Sequence, residues 1–396
     1  MREGWVEATL RDALEPIANR PDGKDYPLVL SVTEKRGIIP QTEIFKHRIA
    51  TDDISKYKVL EPMDIAYNPY LLWCGAIGQW QGSEAGVVSP VYECFRVKPN
   101  SEPRYLGYIF ETGILTNYFD ALAIGSIVRR RRTIPSDFIA APIQLPPLLE
   151  QKRIVDLISS VDSYIEALRQ QLEAAKKSRN AVLHELLTKG GDDWVETTLG
   201  EVSKVIGGGT PSTSVPEYWE GEIVWLTPTE IASRDGEFVS NSIRKISESG
   251  LKNSGAQMLP KGSVILTSRA SIGFVAISAI ELCTNQGFQS LVPNDSVLAE
   301  FLMYWIQQNR SEFESRSAGS TFKEISKSNV KSIKLSLPPK TEQRRIIEIV
   351  SMIDEFEGLT LNLINKSKRL RSGLLADLLS GEHEISSNYD KVMGSV

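Results

Sequence analysis

The chain has 396 residues with 45 Lys and Arg against 50 Asp and Glu, a formal net charge of -5. At 41% hydrophobic and 24% charged residues it has the composition of a folded protein of two or three domains, and its acidic balance argues against wholesale charge-driven nucleic-acid binding while leaving local basic surfaces open. It has no run of 18 apolar residues and no apolar signal segment in MREGWVEATL, so a soluble cytoplasmic protein is expected. Cys74, Cys94 and Cys283, with His47, His184 and His383, make no metal-ligand spacing, so neither a metal site nor a disulfide framework is expected.

Residues 1–144 form a first body that opens with Trp5-Val6-Glu7-Ala8-Thr9-Leu10. Asp64 to Tyr67 reads as a strand, Ala76-Ile77-Gly78 closes the loop after it, and Tyr105 to Phe110 reads as a short helix. The basic positions are Lys35 and Arg36, and the run Arg129, Arg130, Arg131 and Arg132. Asn68-Pro69-Tyr70 partly resembles the N-P-P-Y loop in which amino methyltransferases hold a flipped base. The second proline and any G-x-G donor loop are missing, so it is read as a turn at a strand end.

Residues 145–190 begin Leu-Pro-Pro, which stops the preceding element, and end at Gly190-Gly191. Between them Ile154, Ile158, Val161, Ile165, Leu168, Leu172, Ala175, Val182 and Leu186 keep a 4-3 spacing broken only at Arg179, the seam of a coiled coil. About 40 residues make a rod of roughly 60 Å.

A second body, residues 191–336, opens in the same way with Trp194-Val195-Glu196-Thr197-Thr198-Leu199. Val264 to Thr267 and Phe274 to Ile277 read as strands around the tight loop Ser268 to Gly273, and Glu300 to Asn309 as a short helix. Gly207-Gly208-Gly209-Thr210-Pro211-Ser212 lacks the lysine of a P-loop, leaving a backbone cradle for a phosphate or a plain turn. Residues 337–382 then repeat residues 145–190 at a constant offset of 192, including Leu-Pro-Pro, Glu342-Gln343, Arg345-Ile346, Asp354 and Arg371. This copy is also read as helix. Its apolar set Ile346, Val350, Ile353, Phe356, Leu363, Leu370, Leu374 and Leu378 suggests a local shift of face, with Thr360 and Ser367 near the seam. A tail, 383–396, follows.

The expected fold class is α+β: two mixed α/β domains separated by two long helices that form an antiparallel coiled coil, related by a pseudo-twofold internal repeat. The frames of the two bodies match and their loops differ, an arrangement suited to recognising two things with one geometry. Nothing resembles G-x-S-x-G and the histidines make no acid-base pair with a nucleophile, so no catalytic residue is assigned. Candidate DNA contacts are Lys35, Arg36, Asn68, Tyr70, Arg129, Arg130, Arg131 and Arg132 in the first body. In the second they are Gly208, Thr210, Ser212, Ser268, Arg269, Ser271, Gln286, Ser320, Thr321, Lys323 and Lys327. Arg and Lys suit phosphates and guanine edges, and Gln suits adenine. Leu157, Leu183, Leu187, Leu375 and Leu379 fall outside the seam and need cover from a partner or from the bodies.

The order body, L-P-P-x-x-E-Q-[KR]-R-I helix, body, L-P-P-x-x-E-Q-[KR]-R-I helix resembles the specificity subunit of type I restriction-modification enzymes along nearly the whole chain. Similar too are the Trp openings, the loops 207–212 and 269–273, Asn285-Gln286-Gly287 and Gly319-Ser320-Thr321; the first body lacks the glycine loop and the Asn-Gln-Gly. The resemblance implies that each body is a target-recognition domain reading one half of a bipartite double-stranded DNA site. The helices would act as spacers that bind two methyltransferase (modification) subunits. S-adenosylmethionine, ATP and Mg would belong to partners, with restriction and translocase subunits joined through the modification core, in a host-defence system. A rival reading is a coiled-coil adaptor whose two domains bind proteins. A stand-alone methyltransferase is opposed by the missing donor loop.

Overall fold

The computed structural model describes residues 4–45, 53–125, 131–318, 323–386 and 389, so Arg129, Arg130, Ser320 and Thr321 lie outside the described residues. It divides into two compact units, Met1–Leu168 with Leu363–Val396, and Arg169–Asn362. Each unit thus holds one body and a half of each long helix.

In the first unit the opening strand Val6–Thr9 pairs antiparallel with Pro142–Leu145, register Val6↔Leu145, so the two ends of the body are stitched together just before Pro146. A capping box on Thr9 and Asp12 starts the next turn of helix. The body's sheet runs Leu14–Ile17, Glu93–Val97, Ile65–Tyr67, Ile77–Gln79, and the helix Pro103–Glu111 lies over it. Phe138 packs against Tyr67, Phe95, Phe110 and Phe119 at the centre of the core.

The second unit repeats the closure: Val195–Thr198 pairs with Lys334–Leu337, register Val195↔Leu337, and Thr198 with Glu201 forms the equivalent capping box. Its main sheet has five strands in the order Ser203–Gly207, Gln289–Pro293, Val264–Leu266, Val275–Ser278, Phe238–Val239. A second sheet has the order Arg244–Ile246, Ile223–Leu226, Cys283–Thr284. The helix Ala299–Gln308 covers the first sheet, as Pro103–Glu111 does in the other body.

The long helices run Leu148–Thr188 and Lys340–Ser380. Their pairing is antiparallel within each unit: Asp162 bonds Arg371 while Ile154 and Ile158 share a core with Leu375, Leu378 and Leu379. In the second unit Arg179 bonds Asp354 while Leu183 shares a core with Ile346 and Val350. The break at Arg179 is therefore a polar layer, repeated 192 residues later by Arg371. Arg179 and Arg371 also lie over the rings of Tyr304 and Tyr108, 5.6 Å from each centroid.

The expected shift of face in the second helix does not occur. Positions 346, 350, 353, 357, 360, 364, 367, 371, 374 and 378 continue the seam without a break, but four of them carry Glu357, Thr360, Ser367 and Arg371. Thr360 and Ser367 are buried in it, while Phe356, Leu363 and Leu370 face outwards. Of the polar seam residues Arg371 is held by Asp162 and Glu111, and hydroxyls as small as those of Thr360 and Ser367 can bond to the backbone of their own helix.

The repeated Gln explains why the motif sits where it does. Gln343 is fully buried; its Nε2 donates to Pro338 O (2.9 Å) and Ser296 O (3.0 Å), and its Oε1 accepts from Leu298 N (2.8 Å), the residue that caps the helix Ala299–Gln308. Gln151 does the same for the first body, donating to Pro146 O and accepting from Glu102 N, both at 2.8 Å. One side chain thus fastens the spacer helix to the body helix.

Candidate nucleic-acid interface

In the second body three loops come together. Gly209 N donates to Thr284 O (2.9 Å), Ser268 N to Gly287 O (2.8 Å), and Ile325 N to Ser268 O (3.1 Å). This brings Gly208, Thr210 and Gln286 beside Ser268, Arg269 and Lys323, and the Thr210 hydroxyl donates to Gln286 Oε1. The glycines are required by packing: a Cβ on Gly208 would stand 2.1 Å from Asn285 O, and one on Gly209 would stand 2.2 Å from Gly255 C. The Gly209 N–H is engaged by Thr284 O, so it is not among the donors the loop could offer to a phosphate.

Arg269 is exposed but paired with Glu324 (2.9 Å), and Ala270 after it takes φ 59°, the left-handed backbone that non-glycine residues seldom adopt. Ser268 is buried, and its Oγ has no partner among the described residues. Ser271 is half-buried, Ser212 exposed, and Lys327 opens the helix Lys327–Lys331 at the surface.

Sequence reasoning missed what holds this loop. Trp225 Nε1 donates to Gly209 O (2.9 Å) and Trp219 Nε1 to Ser212 O (3.1 Å), and the two indoles meet edge to face at 5.0 Å. Arg244 lies on Trp219 with its guanidinium 3.5 Å from the ring centroid. No local pattern links Arg244, at the start of the strand Arg244–Ile246, to Trp219, 25 positions earlier at the end of the 3-10 helix Pro216–Tyr218.

In the first body the candidates also meet. Asn68 Oδ1 accepts from Tyr70 N (3.1 Å), making the expected turn, and Thr133 N donates to Pro69 O (3.0 Å), which brings the basic run alongside. Arg132 stands 5.9 Å over the Tyr70 ring and Arg131 4.8 Å over that of Trp73, the latter also paired with Asp120 at 2.6 Å. Lys35 and Arg36 occupy the turn between Leu30–Thr33 and Gly37–Pro40, where Arg36 pairs with Glu43.

The leucines expected at a partner surface are covered by the chain itself. Leu375 and Leu379 are buried in the first core and Leu183 in the second, while Leu157 and Leu187 pack half-buried against those cores. Burial of such side chains within the chain stabilises each unit by about 1.5–3 kcal/mol apiece and leaves little for a partner to cover. Exposed instead on the second helix are Met352, Phe356, Leu359, Leu363 and Leu370.

Burial pushes the Cys94 and Cys283 thiols up to about 12 and Cys74 up to about 11, so none is a ready thiolate. Among the described residues no group of three or more His, Cys, Asp and Glu is placed to hold a metal, and no helix is long and apolar enough to cross a membrane.

Residues 191–368 match the family model of the type I restriction modification DNA specificity domain. The MjaIX type I specificity subunit of Methanocaldococcus jannaschii is 39% identical over 165 residues, 41% of this chain and 38% of that protein. The putative MjaX specificity subunit of the same organism is 24% identical across 97% of this chain and 95% of that one. The Escherichia coli EcoR124I/EcoR124II specificity subunit is 28% identical over 53% and 52%. Among solved structures, a chain from one on complex assembly and conformational transition of the type I R-M system superposes with TM-score 0.65 at 19% identity over 96% and 98% of the two chains. The HsdS subunit of Thermoanaerobacter tengcongensis superposes with TM-score 0.55 at 20% identity over 97% and 98%. These matches leave the protein-binding adaptor unsupported. With two bodies on one frame, each fastened to a spacer helix by the same buried glutamine, the chain is similar in sequence and in fold to the specificity subunits of type I restriction-modification enzymes, and its residues 191–368 match their DNA specificity domain.

Proposed function

We propose that this chain reads a bipartite duplex DNA site, one half with each body, while its two helices set the interval between the halves. The observation that carries the reading is the contrast between frame and loops. The Trp openings, capping boxes, buried glutamines and Asp–Arg pairs recur in both bodies, whereas the surfaces bearing Arg132 on Tyr70 and Arg244 on Trp219 share no residues. Arginines held on aromatic faces have oriented donors, which suits base edges and phosphates.

The chain is read as non-catalytic by itself. Two methyltransferase subunits supply adenine methylation with S-adenosylmethionine, and restriction subunits joined through them supply ATP- and Mg-dependent translocation and cleavage. The methyltransferases dock on the outward apolar stripe of the second helix. Met352, Phe356 and Leu359 keep a 4-3 spacing on its exposed face, which suits a partner helix.

The test is co-expression with the methyltransferase subunits, followed by mapping of methylated adenines in the host genome. A divided consensus with a fixed unread interval is expected. Methylation at an undivided site, or by the isolated chain, would overturn the reading.

A further inference from the structure

Arg244 is distinguished from the other arginines of its body by what it lacks. The second body has five arginines; Arg234 pairs with Glu237, Arg269 with Glu324, Arg310 with Asp235 and Arg316 with Glu312. Among the described residues Arg244 has no carboxylate partner, and its guanidinium lies instead over the Trp219 indole, 3.5 Å from its centroid and 5.7 Å from that of Trp225. It sits directly across the strand pair from Trp225, whose indole N–H holds the glycine loop at Gly209.

The segment that presents it is fixed. Arg234 Nη1 bonds Asn241 Oδ1 (2.8 Å), the Ser242 hydroxyl donates to Arg244 O (2.5 Å) and accepts from Trp225 N (3.1 Å), and buried Glu230 accepts from Ile243 N (2.7 Å). Held in that way, Ile243 still stands 86% exposed, the most exposed large apolar residue among those described. An apolar side chain projected into water by a rigid loop contributes nothing to the core, and next to it stands a cation held against an indole face.

We propose that Arg244 reads a guanine in the major groove of the second half-site, with Ile243 against the neighbouring base. This rests on the chain being a DNA-specificity subunit. A guanidinium held against an indole keeps its fork of donors oriented, which matches the two coplanar acceptors of guanine, O6 and N7; a phosphate could take the same fork, but it has no use for the exposed apolar Ile243 beside it, and that neighbour favours a base. The apolar neighbour suits the methyl or face of an adjoining base.

The test uses the full chain assembled with its methyltransferase subunits and a pool of linear duplexes with a randomised central segment, the bound fraction being sequenced. The parent complex is expected to enrich two separated half-sites, one containing a guanine. Arg244→Ala is expected to lose that guanine alone, keep the other half-site, and bind the parent sequence about 5- to 150-fold more weakly. An unchanged consensus and affinity overturns the inference. So does a loss equal for all sequences, which would put Arg244 on a phosphate. If Arg244→Ala also lowers the melting temperature, Ile243→Ser decides, because that side chain supports nothing in the fold: parent-like selectivity in it counts against the inference. A parent complex that enriches no divided sequence overturns the functional reading itself, and the inference with it.

Discussion

Replacing Gln343 with leucine tests whether the repeated motif is a structural fastener. Leucine nearly matches the volume but leaves three backbone groups without their partner: Pro338 O, Ser296 O and Leu298 N, now bonded at 2.9, 3.0 and 2.8 Å. An orphaned buried group costs about 1–3 kcal/mol, and two of the three bonds are only part-buried, so the sum is about 2–4 kcal/mol. For a unit of this size that lowers the melting temperature by about 5–15 °C. Gln151 has one bond fewer, so Gln151→Leu should cost about 1 kcal/mol less and act on the first unit. Calorimetry, with hydrogen exchange along Ala299–Gln308, reads both the size and the place of the loss. Gln343→Glu adds a sign. A carboxylate cannot donate to the two carbonyls, so its folded pKa rises; the variant is least impaired at acid pH, where the group is protonated, and loses stability as pH rises through the folded pKa. A Gln343→Leu protein melting with the parent, or a Gln343→Glu protein indifferent to pH, would show that the motif's Gln does no fastening.

Three further outcomes are expected. Arg269→Ala should weaken binding by about 1–3 kcal/mol at the second half-site only if Arg269 leaves Glu324 for a base, and Glu324→Gln should then strengthen it; titrations in which neither substitution changes duplex affinity return the pair to the fold. Phe356→Asp should leave the melting temperature unaltered, since the ring is exposed, yet prevent co-purification with the methyltransferase subunits; intact assembly moves their docking face elsewhere. One heptad added after Leu172 and another after Ile364 lengthens each rod by about 10 Å, or roughly 3 base pairs, so methylated-site mapping should show the same half-sites with a longer unread interval; an active complex with the original interval rules out the helices as a ruler.

The frame is legible because its signals are local and repeated: Leu-Pro-Pro starts, a 4-3 seam, and β-branched runs around the Ser268 to Gly273 loop. Where the reading went astray, two local signals competed. In the second helix Phe356, Leu363 and Leu370 advertise an apolar face, and Glu357, Thr360, Ser367 and Arg371 hide the true seam. Copying positions from the first helix by the 192-residue offset finds it, since Arg179 already shows that the seam tolerates a charge answered by an Asp. The cover of the leucines outside the seam is illegible for a related reason: a helix between its twin and a body needs apolar residues on two sides, and sequence does not say which neighbour covers the second. Arg244 was out of reach altogether, because its meaning lies in a stack on Trp219 and in the carboxylates it does without.

What the two units share therefore differs in kind from what separates them. The shared residues with side-chain bonds, Gln151 and Gln343 in the core, and Asp162–Arg371 and Asp354–Arg179 across the helices with Arg371 also on Glu111 and Arg179 on Gln307, all lie where a body meets its helices. Each works through the geometry of its own bonds, so it constrains the junction and leaves the loops beyond it free to differ. The Arg132–Tyr70 and Arg244–Trp219 contacts sit beyond that junction, built from unrelated residues on different loops. A body from another chain with the same opening strand, closing strand and buried glutamine would meet every bonding demand at the junction, and it would bring its own stacked arginine with it. New specificity would then come from exchange of whole bodies, without any change to the seam.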